Sequence, residues 1–200
     1  MWPNLDWLAE RYPSARVVGA PIAGFYFYAT FYTGPNATSG GLADFRAAAW
    51  PQHYALWSSF VDESCKAAHA ANPSFCILSN NSFPYVLSES FAIEAQTDQV
   101  VLTAHDELPQ AYISQPPEQA FMAEWHANMT VALSPLMAPA NRRNGAFNPA
   151  CFIHTSFYLD KPLLSGLNFM QAFSNFYFQS TPPSGYKLAD NCGIMCNPTC

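Results

Sequence analysis

Charge is scarce in this chain: Asp, Glu, Lys and Arg make up only 11% of its 200 residues, and the formal net charge is −6. With 8 Lys and Arg spread along the sequence there is no basic stripe for a phosphate backbone, so nucleic acid is excluded as a partner. Long apolar runs are also missing. None approaches the roughly 20 residues that cross a bilayer, and no membrane span is expected. The opening MWPNLDWLAERYP has neither a basic head nor an apolar signal core, which taken alone argues against secretion. Two motifs are absent as well: there is no C-x-x-C pair, and no G-x-S-x-G turn.

What is present points to a folded body. Half of the residues are apolar and 16% are aromatic, enough for one unit over residues 1–200 with a substantial core. No internal repeat or linker divides it. Six cysteines (Cys65, Cys76, Cys151, Cys192, Cys196 and Cys200) form an even set, three of them in the last nine residues. A zinc site does not fit them, because positions 192, 196 and 200 are four apart with no histidine nearby. Structural disulfides, formed in an oxidising compartment, are the better reading. N-x-S/T sequons at Asn36, Asn80 and Asn128 agree with that compartment. An intracellular interaction domain survives only if the cysteines are reduced.

Along the chain, apolar and polar segments alternate with helix and strand periods. Residues 4–11 read as a short amphipathic helix stopped by Pro13. The stretch ARVVGAPIAGFYFYATF reads as a buried strand entering a tight loop, and 33–41 as loop. Residues 42–71 read as helix, with Trp50, Tyr54, Trp57 and Phe60 recurring at helical steps toward a core. PYVLSESFAIEAQTD, 84–98, reads as a buried strand delivering Asp98 at its carboxyl end. A helix is expected over 117–137 and a Pro- and Asn-rich loop over 138–150, after which CFIHTSFYL begins at a strand end or loop. Strands alternating with helices predict an α/β sandwich.

In an open α/β sheet, reactive groups gather beyond the carboxyl ends of strands, where Asp98 and His154 both fall. A carboxylate that accepts from one imidazole nitrogen fixes the tautomer and leaves the other nitrogen to act as base toward a nucleophile. The order Asp then His is the α/β-hydrolase order, with a serine expected earlier. The nearest imitation of its turn, TSGGLADF at 38–45, has Ala37 where the first glycine belongs, so Ser39 is a poor candidate. Asp106 competes with Asp98, and His105 beside Asp106 forms a rival pair. His53, His69 and His126, like any histidine, can be ordinary surface or core residues.

Five segments resemble the pectin acetylesterase and Notum family in the order that family has them. They are RVVGAPIAGFYF, SCKAAHAANPSFC, FAIEAQTDQVVL, NGAFNPACFIHTSF and the tail DNCGIMCNPTC, which is similar to the family's C-N-P-[ST]-C ending. The resemblance implies an α/β-hydrolase-like three-layer sandwich and a Ser-Asp-His esterase in which Asp98 matches the acid and His154 the base. It implies an acylated polysaccharide or a lipid-acylated protein as substrate, an extracellular or cell-wall location, and no metal or organic cofactor. Thr155 stands where plant members carry a second cysteine, which leaves the acyl group open. The family's nucleophile turn and oxyanion loop precede the segment matching residues 1–30. The chain is therefore expected to represent the C-terminal half of such an enzyme, inactive by itself, poorly soluble because strands lose neighbours, and without a leader for the same reason. The same resemblance links Cys65 to Cys76, closing a loop of about ten residues for roughly 2 to 3 kcal/mol. The other four cysteines then pair among themselves, and a bond from Cys151 to the tail would hold the His154 loop. The alternative is a secreted, non-catalytic carbohydrate- or lipid-binding module of the same fold.

Overall fold

Four short segments far apart in the sequence become neighbours in one parallel sheet. The structure, a computed structural model, describes residues 2–38 and 48–200. Its helices are α1 (Leu5–Arg11), α2 (Trp50–Trp57), α3 (Glu63–Ala68), α4 (Ser79–Ser82), α5 (Pro116–Met137) and α6 (Phe169–Phe178). Its strands are β1 (Val18–Gly19), β2 (Glu89–Ile93), β3 (Thr97–Asp98), β4 (Asn144–Asn148), β5 (Phe152–Ile153) and β6 (Lys187–Ala189). The main sheet runs β1-β2-β4-β6, and β3 pairs with β5; every pairing within these sheets is parallel. Bonds from Glu94 N–H to Phe147 O (3.0 Å) and from Gln96 N–H to Pro149 O (2.9 Å) join the two ladders. The β3/β5 pair thus prolongs the β2/β4 pair at its carboxyl end.

The period-2 alternation of strands sorts the core into two faces. Phe91, Ile93 and Phe147 point to one side and pack with Phe176 and Ala172 of α6. Ala92 and Ala146 point to the other, where Met122, Trp125, Met129 and Leu133 of α5 supply the bulk. Small residues on the sheet there let a thick apolar helix stripe approach. Helices therefore cover both faces, as an α/β sandwich requires. Pro116 begins α5, where a missing N–H costs nothing. Lys187 of β6 donates through Nζ to the carbonyls of Leu136, Ala138 and Asn141, each at 2.6 Å, closing the far end of α5. Among the described residues no helix is long and apolar enough to cross a membrane.

Several sequence expectations are corrected. Residues 138–150 are not all loop, because they contain β4, fully buried and central in the sheet. Asn and Gly mislead there: Asn144 Oδ1 accepts from the Ser90 N–H (3.0 Å) and hydroxyl (2.9 Å), and Asn148 Nδ2 donates to Glu94 O (2.6 Å). These polar side chains staple neighbouring strands instead of turning the chain. Gly145 lies opposite Phe91, whose ring fills the space a side chain would take. A Cβ at position 145 would sit 2.6 Å from Phe91 Cδ2 and 2.9 Å from Tyr186 O. Gly145→Ala is expected to destabilise by about 1 to 3 kcal/mol through overpacking, read as a lower urea midpoint with unchanged slope.

Elsewhere, the long first strand shrinks to β1. Phe25, Phe27 and Ala29 still alternate into the core, but as irregular backbone, after a bend in which Ala23 takes φ 51°. The 84–98 strand is broken into β2 and β3, and within 48–71 the expected helix divides into α2 and α3 at left-handed Ser58. Trp50 is buried there as expected, whereas Trp57 and Phe60 are more than half exposed. Residues 39–47, which held the rest of the expected loop and helix, lie outside the described residues, as does Met1. Disulfides join Cys65 to Cys76, Cys151 to Cys200 and Cys192 to Cys196. The expected pair and the expected tether from Cys151 to the tail are both present.

Candidate active site

Adjacent parallel strands carry Asp98 and His154 to one spot. Asp98 ends β3 in register with Ile153 of β5, and His154 is the next residue. The imidazole Nδ1 lies 2.7 Å from Asp98 Oδ2. A carboxylate has no proton to give, so Nδ1 carries the hydrogen and donates it. Asp98 is His154's hydrogen-bond partner among the described residues, which leaves Nε2 as the nitrogen available to a reacting group. Exposure separates the two: the Asp98 side chain is 1% accessible, the His154 side chain 26%. The acid is sealed and the base is reachable.

The support for this pair is polar and buried. Asp98 Oδ1 accepts the Val101 N–H (2.9 Å) at the start of a π-helical turn, Val101–His105, so both carboxylate oxygens are engaged. Thr97 donates to Cys151 O (2.8 Å), tying β3 to the entry of β5. On the far side of that entry, the Ala150 N–H donates to Asp190 Oδ2 (2.8 Å) and Asn197 donates its N–H to Ala150 O (3.3 Å). The cysteine-rich tail thereby clamps the segment that presents His154.

Glu94 also belongs to this region, and the sequence reading passed over it. It is 1% exposed, accepts the Phe25 N–H at Oε2 (2.9 Å), and lines an enclosed space of about 10 Å³ together with Asp98, Tyr26 and Val101. Burial, then the negative charge of Asp98, push its carboxyl well above the usual range. Burial and the same two acids raise the Tyr26 phenol, which stays protonated at neutral pH. The available signal was an ionisable residue in an apolar strand run, FAIEA, four places before Asp98.

The competing candidates go elsewhere. Asp106 is buried and accepts the Trp125 indole N–H at 2.9 Å, a bond that locks α5 to the core. His126 pairs its Nε2 with Gln96 Oε1 (2.8 Å), and burial lowers its pKa, so it serves as a neutral donor. His69 meets the Tyr85 hydroxyl (2.9 Å) and stacks on Phe75; His53 lies between the rings of Trp50 and Trp57. His105 sits in the π-helical turn that follows Asp98, and Ser39 lies outside the described residues. A larger groove of about 450 Å³, lined by Asp6, Arg16, Leu87 and Glu89, flanks the amino end of β2 and is remote from the Asp98–His154 pair.

The family model described as pectinacetylesterase matches residues 1–200. Among solved structures, the Wnt deacylase Notum from Drosophila superposes with a TM-score of 0.78 at 18% identity in one crystal form, and 0.79 at 17% in another. Each match covers 100% of this chain and 54% or 55% of the Notum chain. The fold is shared, and this chain spans about half the length of those structures. No curated protein is significantly similar in sequence.

Proposed function

The chain belongs to the pectinacetylesterase family, and on that premise we propose that Asp98 and His154 are the acid and base of a Ser-Asp-His triad in a carboxylic ester hydrolase. The observation that carries this reading is the 2.7 Å bond between a sealed carboxylate and a reachable imidazole at adjacent strand ends. In the reaction, His154 Nε2 takes the serine proton as Oγ attacks the ester carbonyl. Collapse of the tetrahedral intermediate breaks the ester C–O bond, and the same nitrogen returns the proton to the departing alcohol. Water then repeats the sequence on the acyl-enzyme and frees the acid. Asp98 keeps Nδ1 protonated and stabilises the imidazolium formed in each half.

The serine is proposed to lie outside residues 1–200, as one G-x-S-x-G turn is needed and this sequence holds none. Residues 1–200 are read as one unit, the C-terminal part of the enzyme, inactive alone. The substrate class is an acyl ester on a polysaccharide or a lipid-acylated protein. Three disulfides, with exposed sequon asparagines at Asn36 and Asn128, favour an extracellular setting.

The test compares the 200-residue chain with the same chain joined to an upstream segment bearing the nucleophile turn, using p-nitrophenyl acetate and a fluorophosphonate label. The chain alone should show no turnover above background, and the joined polypeptide should turn over and take the label at its serine. Turnover by the chain alone that disappears in His154→Ala would mean the nucleophile is internal; turnover that survives His154→Ala would sink the triad. A folded, serine-bearing polypeptide inert toward esters would favour the non-catalytic binding module.

A further inference from the structure

We propose that Glu94 is protonated in the folded protein and donates a hydrogen bond to Asp98, acting as a positioning residue for the Asp98–His154 pair. The catalytic consequence rests on the triad reading above; the proton itself does not. Glu94 and Asp98 are 1% and 0% exposed and border the same enclosed space of about 10 Å³, room for one water at most. Its other walls are Phe25, Phe27, Val101, Trp125 and Met129, all uncharged, and the Tyr26 phenol. No lysine or arginine borders it among the described residues. Two buried carboxylates facing one such space, with no described lysine or arginine on it, repel each other, which favours one of them holding a proton.

The hydrogen bonds say which one holds it. Asp98 faces the imidazole of His154 through Oδ2 and the Val101 N–H through Oδ1, a set of donors that suits an anion. Glu94 accepts the backbone N–H of Phe25, which is uncharged, and its carboxyl borders the same space as that of Asp98. With Oε2 taken by Phe25, the other oxygen can carry the proton toward Asp98. The strong upward displacement caused by burial and by Asp98 agrees with that placement. The groups facing Glu94 from its surroundings are thus Asp98, with His154 behind it, and Tyr26; α5 and the π-helical turn contribute only uncharged side chains to the space.

Such a donor does two things. It halves the charge that two buried carboxylates would otherwise place beside His154. It also anchors Asp98 from a third direction, through a side chain fixed to the bend at Ala23. Glu94→Gln keeps the shape, offers an amide N–H to Asp98 and an oxygen to Phe25, and cannot titrate.

Two measurements on the 200-residue chain test this, and neither needs catalysis. The first is the unfolding equilibrium against pH for the natural chain and Glu94→Gln. Folded Glu94 keeps a proton that the unfolded chain releases above an ordinary value of 4.5. The natural chain should therefore lose stability relative to the Gln chain as pH rises through that point, by up to about tenfold in the unfolding constant per pH unit, levelling off at the folded group's own value. The second is the proton resonance of the His154 Nδ1–H bonded to Asp98. It should be present in both chains, with a pH-dependent displacement at the midpoint of the stability curve in the natural chain and none there in Glu94→Gln. A relative stability that is flat with pH, or that rises, overturns the protonated state. Identical resonance behaviour in the two chains overturns the positioning role. Absence of the resonance from both sinks the Asp98–His154 pair itself, which separates failure of this inference from failure of the triad.

Discussion

Asp98→Asn is expected to lower kcat of the serine-bearing polypeptide by about 10²- to 10⁴-fold, with KM nearly unchanged. The cause is tautomeric. Asp98 accepts two N–H bonds, from Val101 at Oδ1 and from His154 at Oδ2. An amide has one oxygen and must turn its NH₂ toward one of these donors. If it keeps the backbone bond, the NH₂ faces the imidazole, Nδ1 becomes the acceptor, and Nε2 carries the hydrogen and cannot take the serine proton. Because residues acting as a unit are not additive, Asp98→Asn combined with His154→Ala should be no worse than His154→Ala alone. Steady-state kinetics on p-nitrophenyl acetate, with urea midpoints as a control for folding, check this. A multiplicative double variant would mean that the two side chains act independently and that the triad reading is wrong.

The expected pairing of residues 56 positions apart in sequence was legible because both sit at ends of apolar runs, and strand ends in parallel sheets converge on one edge. The fold class was legible from the same alternation. What the sequence hid follows from side chains used against type. Asn144, Gly145 and Asn148 look like a turn, yet Asn144 and Asn148 bind neighbouring strands and Gly145 makes way for Phe91. Such bonds depend on which strands become neighbours, information that local propensity lacks. Trp57 and Phe60 keep helical spacing from Trp50, but the left-handed residue Ser58 turns the chain before that stripe can complete a face. Glu94 escaped notice for a related reason: an acid in a strand reads as exposed, and only the fold shows it sealed against a second acid.

Breaking the Cys151–Cys200 bond by Cys200→Ala with Cys151→Ala should destabilise the chain by about 4 kcal/mol in the chain-entropy view, because the bond closes a segment 49 residues apart in sequence. The corresponding figures are about 3 kcal/mol for Cys65–Cys76 and about 2 for Cys192–Cys196, whose separations are 11 and 4. Set against the roughly 5 to 15 kcal/mol that holds a typical domain together, the first is a large fraction of the whole. Its effect on the site should exceed its effect on stability. Cys151 adjoins β5, three residues before His154, and the tail that Cys200 anchors also bonds Ala150 through Asp190 and Asn197. Released, the tail no longer fixes where β5 begins, and a displacement of His154 by a fraction of an ångström lengthens the 2.7 Å bond to Asp98. Urea unfolding of the three paired-alanine variants should therefore rank Cys151–Cys200 first, then Cys65–Cys76, then Cys192–Cys196. Only the first should also weaken the His154 Nδ1–H resonance under conditions where the chain stays folded. A Cys151–Cys200 variant as stable as the Cys192–Cys196 one, with that resonance intact, would show that hydrogen bonds alone seat the histidine and that the tail is dispensable to it.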